Sequence, residues 1–220
     1  MNKLNKFEWG LIIIISILNI LTFIVYDDVN IIGIISSITG VICVVLTAKG
    51  HISCYGWGII NIATYATIAW QTRFYGEVIE NLVYYLPMQF VGIYLWKKNI
   101  NKETNIVKAR AMKLKEIIIT TVIAILGIVG FSYVLTLLNS YQPLADSATN
   151  ILAVVAMYLS VKMFKEQWIL WIIVDIISVY MWIVALIQGE ANSAVMVLMW
   201  GAYLINAFYG WINWNKLEKR

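Results

Sequence analysis

The sequence predicts an all-α polytopic membrane protein with eight transmembrane helices, and three observations predict it. Of 220 residues, 61% are hydrophobic and 13% are charged, with only two prolines, a composition outside that of soluble domains. Mean hydropathy is +0.79, and apolar runs repeatedly reach the roughly 20 residues that a bilayer requires. The breaks between these runs are alternately lysine-rich and lysine-poor, as orientation by cytoplasmic lysine and arginine demands.

The elements follow in order, with spans near residues 8–26, 30–47, 53–70, 78–96, 116–138, 147–164, 168–188 and 193–214. The first run is too long for a signal-peptide core, and Phe23-Ile24-Val25-Tyr26-Asp27 lacks a small-residue cleavage pattern, so it reads as a span. Eight spans place Lys3, Lys6, Lys49, the stretch from Lys97 to Lys115, Lys162, Lys165, Lys216, Lys219 and Arg220 on one side with both termini. Asp27, Asp28, Arg73, Glu77, Asp146 and Glu190 fall on the other side. Seven spans would scatter the lysines, so both termini are expected in the cytoplasm. Topology also accounts for the net charge of +4 without a nucleic-acid partner. The longest loop, with Lys97, Lys98, Lys102, Lys108, Arg110, Lys113 and Lys115, reads as a topogenic linker that can touch anionic headgroups.

The chain repeats itself. Leu46-Thr47-Ala48-Lys49 resembles Leu159-Ser160-Val161-Lys162, and Trp57-x3-Asn61-x2-Thr64 matches Trp171-x3-Asp175-x2-Ser178. Gly76-Glu77 matches Gly189-Glu190, and Gly92-x3-Trp96 matches Gly210-x3-Trp214. The second to fourth helices therefore pair with the sixth to eighth as two parallel three-helix bundles joined by the fifth. The divisions are an extra N-terminal helix over 1–28, a first repeat over 29–97, a basic loop and linker helix over 98–140, and a second repeat with its tail over 141–220. In a parallel repeat of this kind the ligand site lies between the halves near the midplane.

Asp175 lies in the middle of the seventh span. A charge there costs roughly 2.5–3.5 kcal/mol or more in lipid, so it marks a partner, a cavity or a function. At about 100° per residue, Trp168, Trp171, Asp175, Ser178 and Trp182 share one face of their helix. Trp57, Asn61 and Thr64 cluster on the third helix, Tyr85, Gln89, Gly92 and Trp96 on the fourth, and Tyr203, Asn206, Gly210 and Asn213 on the eighth. Trp9, Trp96 and Trp214, near span ends, read as interfacial belt residues. Asn61, Thr64, Ser178 and Asn213 serve equally well as glue between helices. Indoles stack on planar or cationic rings, amides read ring substituents or hydroxyls, and a carboxylate balances positive charge. The candidate substrate-binding set is Asp175, Trp168, Trp171, Trp182, Ser178, Asn206, Gln89, Asn61, Trp57 and Tyr85, and it suits a small aromatic vitamin or nucleoside.

Enzyme readings fail on inventory. His51 is the single histidine, reads as a solvated loop residue, and supports neither a Ser-His-Asp set nor a histidine metal cluster. Cys43 and Cys54 lack the spacing of a disulfide framework or a metal site. No cofactor or metal is expected. Asp175 has only distant Glu80 as an acidic companion, too little for an aspartyl hydrolase or a proton relay. Passive carriage fits, and a non-transporting membrane receptor or scaffold with the same pocket is the alternative class.

The stretch from Gln167 to Val179, with Trp168, Trp171, Asp175 and Ser178, resembles the PnuC family of bacterial vitamin transporters, as do Tyr55-Gly56-Trp57-Gly58-x2-Asn61 and Gln89-x2-Gly92-x3-Trp96. The resemblance covers about residues 30–214. It implies a fold similar to the SWEET sugar transporters, with an extra first helix, in the bacterial plasma membrane. It also implies facilitated diffusion of nicotinamide riboside, trapping by a separate cytoplasmic kinase, and a homo-oligomer, with a trimer as the family form. Asparagine is common in nicotinamide riboside carriers at the position of Asp175, so the carboxylate is a departure. Thiamine and deoxynucleosides stand as alternative substrates.

Overall fold

The computed structural model describes residues 4–25, 31–71, 78–138, 142–189 and 193–219. Among them are eight helices: α1 Lys6–Val25, α2 Ile31–Lys49, α3 Cys54–Gln71, α4 Leu86–Lys97, α5 Leu114–Leu137, α6 Pro143–Val161, α7 Gln167–Ile187 and α8 Ser193–Glu218. Asp27, Asp28, Arg73, Gly76, Glu77, Glu190, Lys3 and Arg220 lie outside the described residues. Four helices, α2, α5, α6 and α7, are long and apolar enough to cross a bilayer on length and composition alone.

A π-helical segment, Glu80–Tyr85, leads into α4, and the Leu86 N–H reaches back to the Asn81 carbonyl. Pro87 explains the wider turn. Its ring would clash with the carbonyl four residues earlier and it lacks an N–H, so the preceding turn loosens to make room.

The first bundle packs α3 against α2 and α4, and the second packs α7 against α6 and α8. The bundles meet along α2–α8 and α4–α6, which are the same pair of contacts exchanged by the repeat. Helix α5 lies along α6, and only its Ala124 is buried. Helix α1 packs on α2 and α8.

The repeat extends to the turns. Gly50 after α2 and Met163 after α6 both adopt left-handed backbone, at φ 74° and 62°. Between the bundles, Val107 N–H donates to the Gly50 carbonyl at 2.8 Å and Arg110 N–H to the Met163 carbonyl at 3.0 Å. The long basic loop is therefore structured. It forms a short hairpin of β1 Ile100–Asn101 and β2 Ile106–Val107, then crosses beneath both bundles. His51 is half-buried rather than solvated, with Nδ1 2.6 Å from Ser53 Oγ. Ion pairs Glu8–Lys49 and Lys165–Glu218 lie at 2.8 and 3.3 Å, so this lysine-rich end gathers the first turn of α1 and the last turn of α8. Asp146 opens α6, at the opposite end of that helix from Lys162.

Candidate functional site

A cavity of about 240 Å³ lies between the bundles, with walls from six helices. Helix α2 supplies Cys43, Val44 and Thr47, α3 supplies Cys54 and Tyr55, and α4 supplies Gln89. Helix α6 supplies Met157 and Ser160, α7 supplies Trp168, Trp171 and Asp175, and α8 supplies Trp200, Tyr203, Asn206 and Ala207. A site shared by both halves of a parallel repeat is the arrangement expected of a carrier.

Aromatic rings build its floor toward the lysine-rich end. Tyr55 meets Trp96 edge-on at 4.9 Å, Trp96 lies 5.7 Å from Trp214, and Trp214 lies 6.1 Å from Trp168. Trp96 and Trp214 are fully buried, which corrects their reading as interfacial belt residues. Their N–H groups bridge the bundles, Trp96 to the Ser160 carbonyl at 3.1 Å and Trp214 to the Thr47 carbonyl at 2.9 Å. Both acceptors sit in the last turn of a helix, where carbonyls lack intrahelical donors. Glycine makes the floor compact: a β-carbon at Gly92 would collide with the Tyr55 ring, and one at Gly210 would stand 2.6 Å from the Trp168 ring.

Asp175 is 4% exposed and lines the cavity without an ion-pair partner among the described residues. Glu8, the other deeply buried carboxylate, has Lys49. A buried carboxylate left without a cation is costly unless a ligand or water supplies the compensation. Among the described residues, four further polar atoms on the cavity wall lack hydrogen-bond partners: Tyr55 Oη, Trp168 Nε1, Trp200 Nε1 and Asn206 Oδ1. The Asn206 amide donates to the Val44 carbonyl at 3.2 Å, which anchors the side chain and leaves its oxygen unengaged. Unsatisfied buried groups gathered around one cavity are where a polar ligand gains most.

Of the ten residues expected from sequence, the structure brings Asp175, Trp168, Trp171, Gln89 and Asn206 to the cavity. The other five stand elsewhere. Trp57 is 36% exposed on the outer side of α3. Asn61 donates to the Ser36 carbonyl at 2.7 Å and packs over Gly40, holding α3 to α2. Tyr85 lies edge-on to Tyr84 at 5.3 Å, one turn before Gln89. Ser178 is buried one turn beyond Asp175, and Trp182 is half-buried a turn further along α7.

One residue of register separates the two outcomes. Tyr55 and Trp168 fill equivalent glycine notches, so Tyr55 corresponds to Trp168, Gly58 to Trp171 and Ile62 to Asp175. Burial agrees, since Cys54, Tyr55 and Ile62 are buried as are Gln167, Trp168 and Asp175. Matching Trp57 with Trp171 was one residue out. That step turns a helix by about 100°, enough to move Trp57 and Asn61 off the cavity face. Sequence reasoning also left out Cys43, Thr47, Cys54, Tyr55, Met157, Ser160, Trp200 and Tyr203. The Thr47–Ser160 match and the shared face of Tyr203 and Asn206 were the signals that could have found three of them.

Comparison with known proteins agrees with this geometry. A family model described as nicotinamide mononucleotide transporter matches residues 30–216. The nicotinamide riboside transporter PnuC of Neisseria mucosa is 36% identical over 190 residues, covering 84% of this chain and 72% of that protein. The Haemophilus influenzae protein of the same name is 38% identical over 192 residues, covering 84% and 80%. A crystal structure of the vitamin B3 transporter PnuC superposes with a TM-score of 0.80 at 32% identity, covering 100% of this chain and 95% of that one. The eight-helix architecture with its cavity between two repeats is thus a known transporter fold, and the chain belongs to the PnuC family of multi-pass membrane transporters.

Proposed function

We propose that this protein carries nicotinamide riboside across the bacterial inner membrane by facilitated diffusion, with both termini in the cytoplasm and a separate kinase trapping the product by phosphorylation. The observation that carries the reading is Asp175, a carboxylate without a counter-ion among the described residues, on the wall of a cavity that also holds Trp168, Trp171, Gln89 and Asn206. Nicotinamide riboside is a pyridinium cation with a carboxamide and a ribose. Its ring suits the indoles, its charge suits the carboxylate, and its polar substituents suit the amides. The names of the Neisseria and Haemophilus relatives support the same substrate. Scarcity of other buried acids on the cavity wall favours passive movement over proton coupling. The lysine-rich end, with Lys49, Lys97, Lys162, Lys165 and Lys216, supports the cytoplasmic placement of both termini. The repeats over 29–97 and 141–220 act as the two moving halves, and a trimer is the assembly that the family resemblance favours.

Uptake tests the proposal. Proteoliposomes should equilibrate labelled nicotinamide riboside without an imposed ion gradient, and an internal kinase with ATP should drive accumulation beyond equilibrium. Binding without equilibration would favour the receptor reading. Thiamine is the second reading, because its thiazolium would also be balanced by Asp175, and competition in the same assay ranks the two.

A further inference from the structure

The halves of the cavity depart from their two-fold relation at the layer next to the glycine notches. In the first half, Tyr55 on α3 occupies the notch at Gly92 on α4, and one turn along, Gly58 faces Gln89. A β-carbon at Gly58 would stand 2.6 Å from Gln89 Oε1 and 3.3 Å from Cys43 Sγ. In the second half, Trp168 occupies the notch at Gly210, and the corresponding next layer holds Trp171 on α7 and Ala207 on α8. Large and small have changed places. The first half has its small residue on the third helix of the chain and an amide on the fourth, whereas the second has an indole on α7 and its small residue on α8. Gln89, Trp171 and Ala207 all line the cavity.

We infer that Gly58 is a positioning residue that sets which way round the ligand binds. With no side chain of its own, Gly58 lets the Gln89 carboxamide stand at the cavity wall, so one half presents an amide where the other presents an indole. A two-sided cavity of this kind orients a flat ring with one polar substituent, directing the substituent to Gln89. The Gln89 amide both donates and accepts, and so complements a carboxamide, which does the same. A carboxylate offers acceptors only. The inference rests on the proposed substrate.

An added methyl at Gly58 collides with the end of a flexible side chain rather than with backbone, so Gly58→Ala should displace the Gln89 amide and leave the helices in place. Binding of nicotinamide riboside and of its carboxylate analogue, nicotinic acid riboside, is measured on the full-length protein, on Gly58→Ala, on Gln89→Ala and on the double variant Gly58→Ala/Gln89→Asn. The full-length protein should prefer the carboxamide by roughly five- to a hundredfold, the range set by one well-made or unmade buried hydrogen bond. Both single variants should lose most of that preference. The double variant should regain it, because asparagine is one methylene shorter and fits beside the new methyl. An unchanged preference in Gly58→Ala, or an equal loss in the single and double variants, overturns the inference while leaving the substrate standing. Binding of neither ligand by the unaltered protein overturns the substrate reading itself. If Gly58→Ala fails to accumulate in the membrane, Gly58→Ala/Gln89→Ala decides: its recovery supports the inference, since the collision was with Gln89, and its failure overturns it.

Discussion

Glu8 on α1 and Lys49 at the end of α2 form a 2.8 Å ion pair in which both side chains are buried. Tyr209 of α8 donates to the other oxygen of Glu8 at 2.7 Å. The Asn5 N–H and the Glu8 carboxylate, with the Glu8 N–H and the Asn5 amide oxygen, cap the start of α1 at 2.6 and 2.8 Å. Helix α1, which precedes the segment matched by the family model, is thus fastened to one helix of each bundle.

Removing one partner of a buried pair leaves the other charge uncompensated, at about 3–5 kcal/mol. Glu8→Gln should therefore lower the unfolding temperature of the detergent-solubilised protein strongly. The double variant Glu8→Gln/Lys49→Met, which removes both charges, should recover most of the loss. A double variant no more stable than the single one would show that Glu8 acts through its cap and Tyr209 rather than through Lys49.

The paired indoles of Trp96 and Trp214 close the lysine-rich end of the cavity with two equivalent bonds between the bundles. Ser160 and Thr47 also accept from Met163 and Gly50, each at 2.9 Å, so at each carbonyl the Trp N–H is the donor that comes from the other half. Trp96→Phe and Trp214→Phe keep a ring and lose the donor, each at a net cost of about 0.5–1.5 kcal/mol. Both should raise the reactivity of Cys54 toward a thiol reagent added from the lysine-rich side, and by similar amounts. Unaltered labelling in both would show that packing alone closes this end.

His51 yields a pH prediction. Burial, and then the neighbouring Lys49, hold its imidazole below the ordinary value of 6.5. The unfolded chain therefore takes up a proton at a higher pH than the folded protein does, and stability present above that ordinary value is lost as pH falls below it. Melting curves from pH 8 to pH 5 should show a decline that His51→Gln flattens. An equal decline in the variant would assign the effect to carboxylates instead.

Helix number and pairing were legible because apolar runs and lysine breaks obey the bilayer, and the repeat was legible because Gly92 and Gly210 are held by ring contacts that few residues satisfy. The side facing the cavity was harder to read. In a membrane, lipid-facing and core-facing positions are both apolar, so the indoles of Trp57 and Trp171 invited a match that the glycine notches and burial place one residue away. Asp175, Gln89 and Asn206 were found because polarity inside a span stands out against that background. Tyr55, Trp200 and Cys54 were not, because they look like the apolar filling around them. The widened turn before Pro87 left no clear sign beyond the proline itself.

Asp175 separates charge recognition from packing. Asp175→Asn keeps the size and much of the hydrogen-bonding capacity but removes the charge, and attraction to a cation in a desolvated site is worth several-fold to about a hundredfold in affinity. The variant should bind nicotinamide riboside more weakly and bind an uncharged isostere, with the ring nitrogen replaced by carbon, as well as the unaltered protein does. Trp171→Ala should weaken both ligands by about 1–3 kcal/mol through lost stacking, whereas Trp182→Ala, which lies off the cavity wall, should leave both affinities near their starting values. Calorimetry on the four proteins with both ligands gives the comparison. A charge preference that survives in Asp175→Asn would assign the carboxylate to holding α7 in place, and would leave recognition of the cation to the ring faces of Trp168, Trp171 and Tyr203.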